Sequence, residues 1–304
     1  MQELLAGLNE QQHAAVTHGE GPMLVLAGAG SGKTRVLTLR VAWLVRELGL
    51  RPWELLALTF TNKAAREMKE RVGRFLEGSG ADPWVSTFHS TCLRILRREI
   101  QHLDGFTSDF VIYDDRDAKE LVKRLLKDTK APSSVNPRAI SAAIDRAKND
   151  ALSPDDLAQQ HRADLDPRVP DLYRAYQARL QQANAVDFGD LIGLCIRLFD
   201  EQPAVLERYR ARFAHLLVDE YQDTNHAQYR LLLQLAMHGP RNVCVVGDED
   251  QSIYSFRGAD IRNILDFERD FPGAAVVRLE RNYRSTEAIL RAATAVVERN
   301  EERK

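Results

Sequence analysis

The run Ala27-Gly-Ala-Gly-Ser-Gly-Lys33-Thr34 sets three glycines ahead of a lysine and a threonine. Glycines in such a run let backbone N–H groups turn inward around phosphate oxygens, and a following helix adds the partial positive charge of its N-terminus. Lys33 can then reach the β- and γ-phosphates of a nucleotide, and the Thr34 hydroxyl can hold Mg²⁺. The expected cradle comprises Ala27, Gly28, Ala29, Gly30, Ser31, Gly32, Lys33, Thr34 and Arg35, with alanine at a first position that is glycine in the general pattern. Leu216-Leu-Val-Asp219-Glu220 places two carboxylates behind an apolar run. Asp219 suits a metal and Glu220 an attacking water, because phosphoryl transfer to water needs charge neutralisation and an oriented nucleophile. Acidic residues often follow strands, so this pair draws its force from the phosphate-binding run. Gly247-Asp-Glu-Asp-Gln251 offers a side-chain amide, which both donates and accepts and so can sense a terminal phosphate. An ordinary turn is the alternative there.

Such residues need a sheet edge to hold them. Short, nearly continuous apolar runs at Met23–Ala27, Leu55–Phe60, Leu216–Val218, Val243–Val246 and Val276–Leu279 read as strands buried on both faces of a parallel sheet. Between the first two, Leu37, Val41, Leu44, Val45 and Leu48 recur at helical spacing over Arg35–Leu48, giving the order strand, loop, helix, strand. The carboxylates then fall at the carboxyl ends of strands, where α/β sheets bind ligands. From about Thr91 to Arg197 the chain is helical and mixed in charge, cut by Pro132, Pro137, Pro154, Pro167 and Pro170. Ser153-Pro154-Asp155-Asp156 reads there as an N-cap with proline at the first helical position. The expected fold class is α/β: a phosphate-loop parallel sheet flanked by helices, with an inserted all-helical subdomain. An amphipathic helix is expected from Glu287 to about Glu298; the residues after it do not resemble a natural domain end.

The 304 residues, 44% of them hydrophobic, can supply cores for two domains or for one carrying a large insertion. A net charge of −2 with 28% charged residues creates no global positive field, so any nucleic acid must be held by a local groove. Cys92, Cys195 and Cys244 are odd in number and lack Cys-x-x-Cys spacing, which excludes a disulfide framework or zinc site and leaves buried reduced thiols. The amino terminus has no basic stretch leading into an apolar run, and no apolar run approaches the roughly 18 residues that span a bilayer. The reading is a cytoplasmic protein with no membrane partner.

Taken together, these motifs resemble those of the UvrD/PcrA/Rep family of superfamily 1 DNA helicases, over nearly the whole chain. Leu8-Asn-Glu-Gln-Gln12 resembles the family's Q motif. Leu58-Thr-Phe-Thr-Asn-Lys-Ala-Ala65, Val85-Ser-Thr-Phe-His-Ser90 and Val218-Asp-Glu-Tyr-Gln-Asp-Thr-Asn225 match further blocks. So do Gly247-Asp-Glu-Asp-Gln-Ser-Ile-Tyr-Ser-Phe-Arg-Gly-Ala-Asp260 and Leu279-Glu-Arg-Asn-Tyr-Arg-Ser285. The resemblance implies a RecA-like first motor domain over 1–91 and 198–276, a helical insertion over 92–197, and the truncated start of a second motor domain over 277–304. It implies that Gln12 recognises adenine and Tyr283 stacks on it. Arg284 reaches the γ-phosphate as an arginine finger, a cation worth about 10³ to 10⁵ in rate. Catalysis falls to Lys33, Glu220, Gln251 and Arg284, with Thr34 and Asp219 on the metal. The implied DNA track is Phe60, Asn62, Thr87, His89, Phe188, Tyr254, Phe256 and Arg257, on which any base can stack at roughly 1–3 kcal/mol. ATP and Mg²⁺ are the implied cofactors. Single-stranded DNA and single-strand/double-strand junctions are the implied partners, with 3′ to 5′ movement, alongside repair or replication proteins.

Pattern alone leaves alternatives at the aromatic positions. Phe60 can end a core strand, Phe188 can pack its own helix, and His89 can be a structural histidine. Tyr254 and Phe256 flank Ser255, so alternation would send one outward and one inward. Arg94, Arg97 and Arg98 can touch phosphates or solvate a helix face. Phe256 stands where many family members carry tryptophan, a smaller stacking platform. The family's blocks beyond Arg284 do not occur, so the expectation is a chain that binds ATP-Mg and single-stranded DNA and hydrolyses ATP poorly. The competing readings are the motor of an AddA/RecB-like helicase-nuclease, a P-loop kinase, and a non-catalytic, nucleotide-dependent interaction fragment.

Overall fold

The computed structural model describes residues 2–76, 83–132, 135–160, 162 and 165–298. The chain forms two compact units: Met1–Phe88, Arg208–Thr224 and Leu235–Lys304 in the first, His89–Glu207 and Asn225–Gln234 in the second. The described strands are β1 (Met23–Ala27), β2 (Leu55–Thr59), β3 (Trp84–Thr87), β4 (Val111–Ile112), β5 (Ala185–Val186), β6 (His215–Val218), β7 (Val243–Gly247) and β8 (Ala275–Leu279).

The first unit is built on a six-stranded sheet in the order β3-β2-β6-β7-β1-β8, parallel throughout. Its register pairs Leu56 with Leu216 and Met23 with Cys244. Every residue of β1, β2, β6 and β7 is buried, as expected for strands covered on both faces. The outer strand β8 departs from that expectation: its side chains alternate in exposure, with Val276 and Arg278 in solvent. It pairs with β1 alone among the described strands, and an edge strand needs only one apolar face. Because all six strands run the same way, their carboxyl ends share one edge of the sheet. The segments after β1, β2, β6, β7 and β8 therefore emerge together.

The helix Lys33–Arg46 buries Val36, Leu37, Leu39, Val41, Ala42 and Leu44 against this sheet. It begins at Lys33, ahead of Arg35, because Gly32 takes a left-handed φ of 97° and turns the chain directly into the helix. No side chain caps that N-terminus, so the N–H groups of the first turn are left without the usual side-chain acceptor. Arg40 of the same helix is almost wholly buried. Its guanidinium donates to the carbonyls of Ala15, Val16, His18 and Gly19 at 2.6–3.3 Å, bracing the end of the helix Glu10–Thr17.

The second unit is mainly helical, with β4 and β5 forming a two-stranded parallel pair. Val122, Leu125, Ile140, Ile144, Leu172 and Leu180, from the helices Asp115–Asp128, Pro137–Asn149 and Val169–Gln182, form its core. Ser153 caps the helix Pro154–Gln159, its hydroxyl accepting from the Asp156 N–H at 3.1 Å, as the sequence predicts. Deep in this unit Lys148 donates to Asp187 at 2.6 Å and Asp190 at 2.7 Å. Tyr176 adds a hydrogen bond to Asp187, and Gln177 one to Asp190. All three cysteines are buried and free. Among the described residues, no helix is long and apolar enough to cross a membrane.

Candidate nucleotide site

The loop after β1 folds tightly on itself, the Ser31 hydroxyl donating to the Gly28 carbonyl at 2.7 Å. Gly30 is left-handed at a φ of 72°, and a Cβ on it would stand 2.7 Å from the Arg284 Cβ and 2.8 Å from the Asn282 amide nitrogen. Only glycine fits there. Lys33 folds back under the loop and donates to the Ala27 carbonyl at 3.2 Å. Its ammonium lies 3.8 Å from a Glu220 carboxylate oxygen and 3.7 Å from one of Asp248. Thr34 is half-buried at the first turn of the helix, whereas the exposed Arg35 points back to the Ala6 carbonyl at 3.5 Å.

Asp219 and Glu220 follow β6 at the same edge. The Asp219 N–H donates to the Leu58 carbonyl at 2.9 Å, extending the sheet by one residue and fixing its direction. Burial first, and the neighbouring Glu220 charge second, push the Asp219 carboxyl up to about 7. Glu220 itself takes a left-handed φ of 51°, a strained backbone for a residue with a Cβ. Asp223, one turn on, is pushed up to about 6 by burial and by Glu220, and its Oδ1 is buried without a hydrogen-bond partner. A hydroxyl at Thr34 and a carboxyl at Asp219 are hard oxygen donors of the kind Mg²⁺ takes, and a cation's charge would restore the ionised form of Asp219. No cluster of three or more His, Cys, Asp or Glu that could hold a metal by itself occurs among the described residues. Phosphate and water would serve as further ligands of such an ion.

Gln251 follows β7, and its amide donates to Asp248. The Asp248 N–H in turn donates to the Gln222 side-chain oxygen at 3.0 Å, and the Gln222 amide nitrogen donates to Glu220 at 2.9 Å. Lys33, Glu220, Asp248, Gln222 and Gln251 thus form one connected set. On the other side of the loop, the buried Gln12 donates to the Ser31 carbonyl at 2.9 Å. Asn9 caps the helix bearing Gln12 and also donates to the Tyr283 hydroxyl at 2.9 Å. Tyr283, half-exposed, donates from its backbone N–H to the Gly30 carbonyl at 2.9 Å, while the Asn282 side chain donates to Ala29 and accepts from the Arg284 and Ser285 N–H groups. Gln12, Tyr283 and the backbone of Arg284 therefore converge on the loop that holds Lys33.

The aromatic candidates fall in both units. In the first, the rings of Phe60 and Tyr254 lie 5.0 Å apart and those of Tyr254 and Phe256 5.9 Å apart, so the three form a short ladder ending in Phe256, 76% exposed. Ser255–Arg257 is a 3₁₀ turn, to which strand periodicity does not apply, yet Phe256 faces solvent while Tyr254 is half-buried against Phe60. Asn62 is exposed at the start of its helix, but Thr87 is buried at the end of β3. Arg257 belongs to the turn, and its side chain lies outside the described residues. In the second unit, His89 and Phe188 meet edge to face at 6.4 Å. Phe188 is half-exposed rather than packed into its helix, and burial lowers the His89 pKa. Arg97 donates to the Ser108 and Phe110 carbonyls and covers the Phe110 ring at 3.9 Å, a structural role.

Residues 8–272 match the UvrD/REP helicase N-terminal domain. The chain belongs to this family. It is 51% identical over 303 residues to the ATP-dependent DNA helicase PcrA of Bacillus subtilis (strain 168), covering 99% of this chain and 41% of that protein. PcrA of Leuconostoc citreum is 50% identical over 305 residues, 100% of this chain and 40% of its own length. The ATP-dependent DNA helicase UvrD1 of Mycobacterium leprae (strain TN) is 48% identical over 311 residues, 98% and 40%. The chain spans about two fifths of the length of these curated relatives.

Within this UvrD/REP helicase chain, sequence reasoning passed over Asn9, Gln222, Asp248 and Asn282. Asn9 carried a readable signal, since asparagine three residues before glutamine is a capping-box spacing. Gln222 and Asp248 carried none: they meet across 26 residues of sequence only because β6 and β7 are neighbours.

Proposed function

We propose that this chain is the nucleotide-hydrolysing portion of an ATP-dependent DNA helicase that moves 3′ to 5′ along single-stranded DNA and works at single-strand/double-strand junctions in repair or replication, in the cytoplasm. The observation that carries the reading is the convergence on one loop of Lys33, paired at 3.7–3.8 Å to Glu220 and Asp248, with Gln12 and Tyr283 on its other side. In this reading Gln12 and Tyr283 hold adenine, and the N–H groups from Gly28 to Thr34 hold phosphates. Lys33 and Arg284 neutralise charge on the transferred phosphoryl group, Glu220 orients the attacking water, and Gln251 senses the terminal phosphate. Thr34 and Asp219 would hold Mg²⁺, which supplies charge neutralisation at the phosphates. Phe60, Tyr254, Phe256 and Phe188 stack bases without reading sequence, assisted by Asn62, Thr87, His89 and Arg257. The segments 1–91 and 198–276 serve as the first motor domain, 92–197 as its helical insertion and 277–304 as the start of the second. By itself the chain binds ATP-Mg and single-stranded DNA and turns over slowly.

The test compares ATP hydrolysis, with and without single-stranded DNA, for this chain and for the same chain joined to a second motor domain. Strong DNA-stimulated turnover is expected only in the extended form, abolished by Lys33→Ala. Indifference of the extended form to DNA would sink the helicase reading.

A further inference from the structure

We propose that Gln222 is a positioning residue that couples the water-orienting carboxylate of Glu220 to the loop bearing the stacking aromatics, an inference that rests on the function proposed above. Gln222 is 1% exposed and sits in the turn Tyr221–Asp223. Both ends of its amide are engaged: the nitrogen donates to Glu220 at 2.9 Å and the oxygen accepts from the Asp248 N–H at 3.0 Å. A side-chain amide used at both ends has one orientation, because flipping it sets donor against donor and acceptor against acceptor. The bond to a carboxylate is charge-assisted and therefore the stronger of the two.

Two neighbours support a dedicated link rather than casual packing. A Cβ on Gly247 would lie 2.8 Å from the Ile264 Cδ1 and 2.9 Å from the Gln222 side-chain oxygen, so the glycine makes room for both the isoleucine and the amide. The Ser252 hydroxyl donates to the Gln222 carbonyl at 3.4 Å, tying the same residue to the loop a second time. That loop starts at Asp248 and runs through Gln251 to Tyr254 and Phe256, the outer rungs of the aromatic ladder. Glu220 meanwhile rests on left-handed backbone, which the surroundings must hold in place. A nucleotide that draws the Glu220 carboxylate toward a bound water pulls on Gln222, and through it on Asp248 and the aromatics. By reciprocity, DNA on the aromatics biases Glu220 by the same coupling free energy.

The experiment measures binding of a fluorescent, non-hydrolysable ATP analogue with Mg²⁺ to the full chain, with and without saturating oligo(dT). Gln222→Met keeps the volume and removes both polar ends. Gln222→Leu likewise removes both polar ends with a smaller apolar side chain, and it carries the test should the methionine variant fail to fold. Native protein is expected to show coupling of about 5- to 150-fold, the usual allosteric range. Both variants should lose it while binding each ligand alone within a few-fold of native. Undiminished coupling in a folded variant overturns the proposal, as does loss of nucleotide binding itself. Native protein that binds both ligands independently also overturns it and leaves the function standing, whereas native protein that binds neither refutes the function.

Discussion

Each unit of the molecule holds a lysine between two carboxylates, and the two sites are handled in opposite ways. Lys148 sits 2.6 and 2.7 Å from Asp187 and Asp190, with all three side chains under a tenth exposed. Burial alone would lower the lysine's pKa; the charges of Asp190 and Asp187 reverse this and raise it, so the ammonium stays charged. Lys33 lies 3.8 and 3.7 Å from Glu220 and Asp248, beyond hydrogen-bond reach, and the Glu220 side chain is 37% exposed. In the first arrangement both oxygens of each carboxylate are already engaged, by Lys148, Tyr176, Gln177 and backbone N–H groups. In the second, the same residue types are kept about 1 Å farther apart, so an anion can compete for the lysine. Distance and closure, more than composition, separate the closed ion cluster from the open one.

The contrast is sharpest in what each lysine does when removed. Lys148→Met should cost about 3–5 kcal/mol of unfolding free energy in denaturant titrations, because two carboxylates are left buried without their cation. A cost below about 1 kcal/mol would erase the distinction. Lys33→Ala should leave stability nearly unchanged and lower the ATP turnover of the extended chain by about 10²–10³-fold, the usual cost of a transition-state donor. A third buried group offers an intermediate test, since His215 is neither paired nor open. Burial, then the charges of Arg40 and His18, lower its pKa to about 4. Its folded pKa is thus below the unfolded value near 6.5, so the unfolded state takes up its proton first as the solution acidifies. The stability of the native protein relative to a His215→Gln variant, in which Asp219 and Asp223 titrate alike, should fall by up to about 3 kcal/mol as pH drops from 6.5 to 4. The smallest effect concerns the exposed ladder: Phe256→Ala should weaken single-stranded DNA binding by about 1–3 kcal/mol, with ATP affinity in the absence of DNA unchanged. An equal loss of ATP affinity would mean that Phe256 supports the fold.

The parallel sheet was legible because β1, β2, β6 and β7 are buried on both faces and write that burial as unbroken apolar runs. β3 escaped notice, since Trp84-Val-Ser-Thr87 is short and half polar. The residues proposed for the nucleotide site in the phosphate loop, at Asp219 and Glu220, and at Gln251 were readable from type and local spacing. What could not be read was the wiring among them. Asn9 with Tyr283, Gln222 with Asp248, and Gly30 beneath Arg284 are contacts between segments distant in sequence, set by the tertiary fold and not by local spacing. The Lys148 cluster was invisible because helix packing brings Lys148 to residues about 40 positions away, although Asp187 and Asp190 also spell a capping box at the start of their helix.

The left-handed backbone at Glu220 has an evolutionary and engineering consequence. Asparagine tolerates that conformation better than glutamate, so Glu220→Asn should relieve roughly 1 kcal/mol of backbone strain while removing the proposed water-orienting carboxylate. Selection for stability alone would therefore favour losing the chemistry at this position, and recovery of glutamate there in a library sorted first for folding and then for turnover would mark the moment function outweighs fold.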